Sequence, residues 1–510
     1  MTISRSVGVL GSTAFLVGCA VGPSYVLPDI PVPSHFLASK ESDSVKVADT
    51  AAPASITRWW RALHDSKLNA LVERAVIANP DIEIALSRVQ AARENEVVVL
   101  GAALPQVGIA SAVAGSSGLN PTKGRVPQSL NSGVNTAGFE SVSMVSGFDA
   151  SWELDLFGKY RRELQAARDD TEAAIELRNA VLITVIADVA RNYIALRGLQ
   201  AQVTVVRDNI TRAEKTVDLV QTRYDRGLTS EYDVTSAKRE LGMLQASLPP
   251  LTSGITDAES RIAVLLGTFA EDLRAELGKP GKIPHTPERI RPGQPVDLLR
   301  RRPEIRQAER QLAAATARIG VATADLFPRF SLIAGLGLQG GPAAAGFTRP
   351  FHAPLWSLGP GAYWPVLDFG RLDALIDIAD FQAHELLANY KKTILAAVGE
   401  VDTAIQQYRA DLQRLRDLGV ALDESRRSVD LATDRYERGL TDILDVLDAQ
   451  RQEYVLADQY TFAQQVAAVE FVALYKALGG GWELYQAIPP APEPQPAIQA
   501  AFRRVSNDWK

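Results

Sequence analysis

Arg223-Tyr224-Asp225-Arg226-Gly227-Leu228-Thr229 is written again as Arg435-Tyr436-Glu437-Arg438-Gly439-Leu440-Thr441, 212 residues later. The first copy continues to Asp233-Val234 and Ala237, the second to Asp445-Val446 and Ala449. Upstream of the first, Val203, Val206, Ile210, Ala213, Val217 and Val220 alternate steps of three and four. Leu415, Leu418, Leu422, Ser425, Val429 and Ala432 hold the corresponding places before the second. A mean period of 3.5 is the seam of a coiled coil, so each copy ends a long helix wound on a neighbour. Gly227 and Gly439 then supply the left-handed backbone that stops a helix and reverses the chain. Each copy therefore reads as the tip of a helical hairpin, and the hairpin is duplicated.

The duplication reaches further out. Arg302-Pro303-Glu304-Ile305 answers Asn79-Pro80-Asp81-Ile82 at an offset of 223, as Leu326-Phe327-Pro328 answers Ala103-Leu104-Pro105. Trp364 to Gly370 answers Trp152 to Gly158 at 212, so an 11-residue difference falls in one loop, where length changes are tolerated. Length alone suggests roughly three or four domains for 510 residues; two repeats of one plan make a single pseudo-symmetric body instead.

Between the helices the period changes to two. Val107, Ile109, Ser111 and Val113 alternate with small and polar residues; Phe148, Ala150, Trp152 and Leu154 alternate with Asp149, Ser151 and Glu153. Phe330, Leu332, Ala334, Leu336 and Leu338 repeat the pattern. The reading is a β-hairpin at about 105–156 and another at about 328–368. One apolar and one polar face suits lipid on one side and water on the other, although a half-buried soluble hairpin alternates in the same way. Apart from the N-terminus, no run reaches the ~18 apolar residues of a spanning helix. Four strands are too few to close a barrel of about eight or more, and open edges are not tolerated in lipid. If the strands span a membrane, several chains must complete one barrel.

The helical arms are long. From Lys159 to Arg226 there is no proline and one glycine, on the order of 100 Å if fully helical. The return arm runs from about 230 to 266, with a break or kink expected at Pro249-Pro250. Another helix is expected to start near Trp59-Trp60. The reading divides the chain into a signal segment (1–18), an extended segment (19–58), a first repeat (59–278), a linker (279–296), a second repeat (297–482) and a Pro-rich tail (483–510).

The N-terminus carries Arg5, an apolar run from Val7 to Val17, then Gly18-Cys19, which reads as an export signal. Cys19 is the only cysteine, so no internal disulfide forms. Leu16-Val17-Gly18-Cys19 resembles the bacterial lipobox, which implies a lipid on Cys19; Ala20 behind it implies the outer membrane. A net charge of -6 and a pI near 5.6 leave no footprint for nucleic acid. Gly335-Leu-Gly337-Leu-Gln-Gly340 spells a dinucleotide fingerprint but opens no helix. Asp368-Phe369-Gly370 spells a kinase motif without its companions and reads as a strand-to-helix turn. The five histidines are scattered, with no second ligand in place for zinc. No catalytic framework and no cofactor beyond the lipid is expected: this does not read as an enzyme.

Taken together, the chain resembles the TolC-like outer membrane factors, in their NodT-type lipoprotein branch. The resemblance rests on Trp59-Trp60 with Leu68-Asn69 and Leu71-Val72, on Trp152 to Lys159, on Arg301 to Ile305, on Asp445 to Gln450 and on Tyr475 to Trp482. It implies a mainly α fold with a small β part: a periplasmic α-barrel of coiled-coil hairpins plus four strands per chain in a trimeric twelve-stranded outer-membrane β-barrel. It implies a passive, gated exit duct of a tripartite efflux system, working with a periplasmic adaptor and an inner-membrane transporter. Asp445 and Asp448 would form acidic rings at the periplasmic entrance. Tyr436 and Asp233 would share a hydrogen bond that helps hold it closed, while Thr441 stands where some relatives carry a gate arginine. Arg226, Gly227 and Leu228 with Arg438, Gly439 and Leu440 would dock the adaptor. The competing readings are a type I secretion channel, a periplasmic adaptor, and a structural coiled-coil lipoprotein. An adaptor predicts one hairpin; a poreless coiled coil leaves the alternating strands without a role.

Overall fold

A computed structural model describes residues 20–37, 56–116, 141–288, 294–340 and 353–485. The signal segment with Cys19, parts of the extended segment and linker, both strand-connecting loops and the tail from 486 lie outside the described residues. Nine helices of seven or more residues and four strands are found among the described residues. In chain order they are α1 (Ser66–Ala78), α2 (Pro80–Ala102), β1 (Gln106–Ser116), β2 (Ser141–Leu154), α3 (Lys159–Asp225), α4 (Glu231–Leu265), α5 (Ala270–Leu277), α6 (Pro295–Arg301), α7 (Pro303–Ala324), β3 (Arg329–Gly340), β4 (Ala353–Tyr363), α8 (Arg371–Glu437) and α9 (Ile443–Ala477). The repeat is kept to the residue: α3 and α8 are 67 residues each, α4 and α9 are 35 each, and both pairs are offset by 212.

The chain divides into two compact units. The first comprises Met1–Leu27, Ala92–Thr171 and Arg310–Leu387; the second comprises Pro28–Ala91, Glu172–Glu309 and Ala388–Lys510.

In the first unit the four strands form one antiparallel sheet in the order β1-β2-β3-β4. The register carries Ile109 opposite Phe148, Phe148 opposite Leu336 and Leu336 opposite Trp356, a row across one face in which all four side chains are exposed. One residue along, Gly108, Asp149, Gly335 and Ser357 form the row on the other face. The two faces differ because side chains alternate with a period of two. At the strand ends, the indole N–H of Trp152 donates to the Ala103 carbonyl at 3.0 Å, and that of Trp364 to the Leu326 carbonyl at 2.9 Å. These bonds are equivalent under the repeat. Asp368 accepts from the amides of Gly370 (3.2 Å) and Leu372 (2.8 Å), so the Asp-Phe-Gly stretch is a turn leading into α8.

In the second unit, Trp59 stacks on Tyr475 with ring centroids 6.0 Å apart and meets Phe471 edge-on. The Trp482 indole donates to the Arg301 carbonyl at 3.1 Å, with the Arg306 guanidinium over its ring. Each contact joins stretches far apart in sequence, Trp59 with Phe471 and Tyr475, and Trp482 with Arg301 and Arg306.

The structure corrects two expectations and adds one helix. Trp59–Leu63 is a 3-10 turn; the α-helix begins at Ser66, where the Asp65 carboxylate caps the amides of Lys67 and Leu68. Pro249 and Pro250 do not break α4. They withhold the amides due to the Gln245 and Ala246 carbonyls, but this turn is exposed to water, which takes up such groups. Helix α5 was not expected; the Thr268 hydroxyl bonds Asp272 in its first turn. Among the described residues no helix is long and apolar enough to cross a membrane.

Candidate functional site

Both hairpin tips belong to the second unit and are built alike. In the first, the Gly227 amide donates to the Tyr224 carbonyl (2.8 Å) and the Leu228 amide to the Arg223 carbonyl (2.9 Å). In the second, Gly439 donates to Tyr436 and Leu440 to Arg435, both at 2.9 Å. This pair of bonds closes a helix C-terminus through a residue in the left-handed region, and Gly227 and Gly439 both sit at φ +73°. Leu228 and Leu440 project into solvent, as do Arg226 and Arg438; Arg438 folds back onto Asp434 at 2.8 Å.

The tips are held together by a small apolar cluster of Val220, Val234 and Ala237 from the first hairpin with Tyr436, Ile443 and Val446 from the second. Arg223 covers it. Its guanidinium lies 4.2 Å from the Tyr436 ring centroid and donates to the carbonyls of Tyr436 (3.3 Å) and Glu437 (3.2 Å). Both carbonyls lie in the last turn of α8, beyond the i,i+4 ladder; that of Tyr436 also accepts from the Gly439 amide. Further along, the buried Glu453 takes a two-pronged bond from Arg212, 2.9 Å to each oxygen, joining the two hairpins again.

Asp233 is the third residue of α4. Its carboxylate accepts from the Thr229 hydroxyl and from the amide (3.0 Å) and hydroxyl (2.8 Å) of Ser230. The Thr229 bond, followed by those from Ser230, holds this carboxyl below the usual carboxylate range. Asp445, its equivalent in the repeat, accepts from the hydroxyl of Thr441. Asp448 is paired with Arg451 and also accepts from Gln452 at 3.1 Å. Asp445 and Asp448 are both exposed, in the first two turns of α9.

The hydrogen bond between Tyr436 and Asp233 that the resemblance implies is not made within this chain. Tyr436 is 5 % exposed and its hydroxyl has no hydrogen-bond partner within the chain, while the bonds that Asp233 accepts all reach one oxygen, Oδ2, from Thr229 and Ser230 at its own helix start. Arg223, Arg451 and Glu453 were missed in the sequence. The Arg451 pairing was open to view as an i,i+3 neighbour of Asp448; the reach of Arg223 across 213 residues was not. No group of metal-ligating side chains is found among the described residues.

The sequence and the fold match known proteins over nearly the whole chain. It is 30 % identical over 471 residues to Nodulation protein T of Rhizobium leguminosarum bv. viciae, covering 92 % of each chain. It is 29 % identical over 488 residues to the pyoverdine export outer membrane protein OpmQ of Pseudomonas aeruginosa, covering 94 % of this chain and 97 % of that one. Among solved structures, the outer-membrane channel OprN superposes with a TM-score of 0.79 at 34 % identity, over 91 % of this chain and all of that one. The family model for outer membrane efflux proteins matches residues 71–268 and 295–480. The chain belongs to the outer membrane efflux protein family, whose members are channels of the outer membrane rather than enzymes.

Proposed function

We propose that three copies of this chain form one passive, gated exit duct for small molecules, fed by an inner-membrane pump through a periplasmic adaptor. The observation that carries this reading is the sheet. Its apolar face, Ile109-Phe148-Leu336-Trp356, is exposed in the single chain, and its edge strands β1 and β4 have no neighbour among the described residues. A lipid-facing sheet with two open edges is completed only by more strands. Three copies supply twelve, with Asp149 and Ser357 turned to a watery lumen.

The start of the described chain supports the lipid anchor on Cys19. The Val21 amide donates to the Phe157 carbonyl at 3.1 Å, and Arg162 donates to the carbonyls of Val21 (3.1 Å) and Gly22 (3.2 Å). This pins the residues next to Cys19 just beyond the end of β2, within the unit that holds the sheet. The exposed tips 226–228 and 438–440 suit an adaptor, because short apolar and cationic loops are free to be covered there.

At the tips, Asp445 and Asp448 would stand in three copies each and favour cations. Arg451 offsets the charge of Asp448, so Asp445 carries more of the selectivity. Reversal potentials of the purified, lipidated protein in planar bilayers test this. Cation selectivity is expected, lowered more by Asp445→Ala than by Asp448→Ala. An unchanged reversal potential in the double variant rules out the acidic entrance.

A further inference from the structure

We infer that neighbouring copies of this chain clamp one another at the tips by laying Arg435 of one copy over Tyr224 of the next. This would repeat between chains the contact that Arg223 makes on Tyr436 within one. The inference rests on the trimeric reading above.

Within the chain the contact has a direction, because the arginine belongs to the first repeat and the tyrosine to the second. In a closed head-to-tail ring, the second repeat of one copy meets the first repeat of the next. The rotation that relates the repeats then brings up residues shifted by 212. Arg223 becomes Arg435, Tyr436 becomes Tyr224, and both residue types are kept. The carbonyl acceptors shift likewise, from Tyr436 and Glu437 to Tyr224 and Asp225, the last residues of α3.

Both halves of the second contact are unspent. Tyr224 is 40 % exposed, against 5 % for Tyr436. Among the described residues no cation lies over the Tyr224 ring, and the Arg435 guanidinium makes no ion pair, hydrogen bond or ring contact. The other unit shows the same asymmetry independently. Phe157 of the first repeat stacks on Phe327 of the second, centroids 4.6 Å apart. Their counterparts, Phe369 at 91 % and Leu104 at 53 % exposure, are apolar and uncovered. Two contacts running from first repeat to second each leave a matched pair facing solvent, as a ring of identical seams requires.

The two seams differ in their surroundings. Ile443 and Leu447 belong to the cluster around Tyr436, whereas Glu231 and Thr235 occupy the equivalent positions after Tyr224. The clamp between chains therefore lacks the apolar cover of the clamp within a chain, and it is the one that yields first when the tips part.

The test uses the full-length chain in outer membranes. Tyr224→Cys/Arg435→Cys is treated with a short bismaleimide, since an arginine laid on a ring keeps the two backbones too far apart for a disulfide. The native Cys19 is kept throughout. Arg223→Cys/Tyr436→Cys is the internal standard and is bridged within one chain, protecting both thiols from later labelling. The expected result on a denaturing gel is covalent dimer and trimer from Tyr224→Cys/Arg435→Cys, with each single variant remaining monomeric. If the protein sediments as a trimer in mild detergent and the internal standard is bridged, yet the double variant links no more than the singles, the clamp is overturned and the trimer stands. If no trimer sediments, both fall together.

Discussion

The hydroxyl of Tyr436 is buried without a partner, which reverses what its removal does. An unmade hydrogen bond contributes nothing, while its desolvation has a cost, so losing the group is near neutral or favourable. Tyr436→Phe is expected to leave thermal stability within about 0.5 kcal/mol of the parent. Arg223→Ala, which strips the ring contact and two carbonyl bonds, should lower it by about 1–2 kcal/mol; heat dissociation of the detergent-solubilised oligomer compares the two. Asp233 makes a separate prediction about pH. Its folded carboxyl titrates below the unfolded one, so its contribution is present above the unfolded value near about 3.9. It is lost as pH falls through the lower folded value. Amide exchange at the start of α4 should stay slow at mildly acidic pH and accelerate only below the ordinary carboxylate range.

At the scale of the element, the hairpins depend on how a long helix is stopped. Nothing lies within 4 Å of a side chain added at Gly227 or Gly439, so the strain of a substitution there is in the backbone. Gly439→Ala is expected to cost about 1 kcal/mol through the left-handed conformation. It should show as faster exchange in the last turn of α8, with the sheet unaffected. The helix ends and strand positions were legible because their signals are local: glycine after a heptad seam, tryptophan and proline at a change of period. The uninterrupted α4 was not legible, since whether a proline pair breaks a helix depends on whether water reaches the freed carbonyls. Helix α5 carried only an eight-residue signal, too short to stand out beside a Pro/Gly-rich linker.

For the whole molecule, the two faces of the sheet should respond oppositely to charge. Trp356→Arg places a cation on the apolar face and is expected to cost about 2–4 kcal/mol if that position lies near the bilayer midplane. Ser357→Arg, one residue on and facing the other way, should be tolerated. The yield of heat-modifiable oligomer in outer membranes separates the two, and equal yields would contradict the assignment of faces.

What the sequence determined by itself was the repeat, and with it the order and length of the long helices, the alternating strands and both tips. Each of these follows from short-range periodicity and turn chemistry. What only the tertiary structure decided was partnership. Tyr436 was singled out through the resemblance for a bond to Asp233; within the chain its ring meets Arg223 and its hydroxyl is buried without a partner. Trp59 and Phe471, and likewise Arg301 and Trp482, were scattered positions until the fold brought each pair into contact. The physical reason is the same in each case. A helix or strand is chosen by neighbours a few residues away, whereas a ring, an ion pair or a hydrogen bond is satisfied by whichever group the folded backbone brings within a few ångströms.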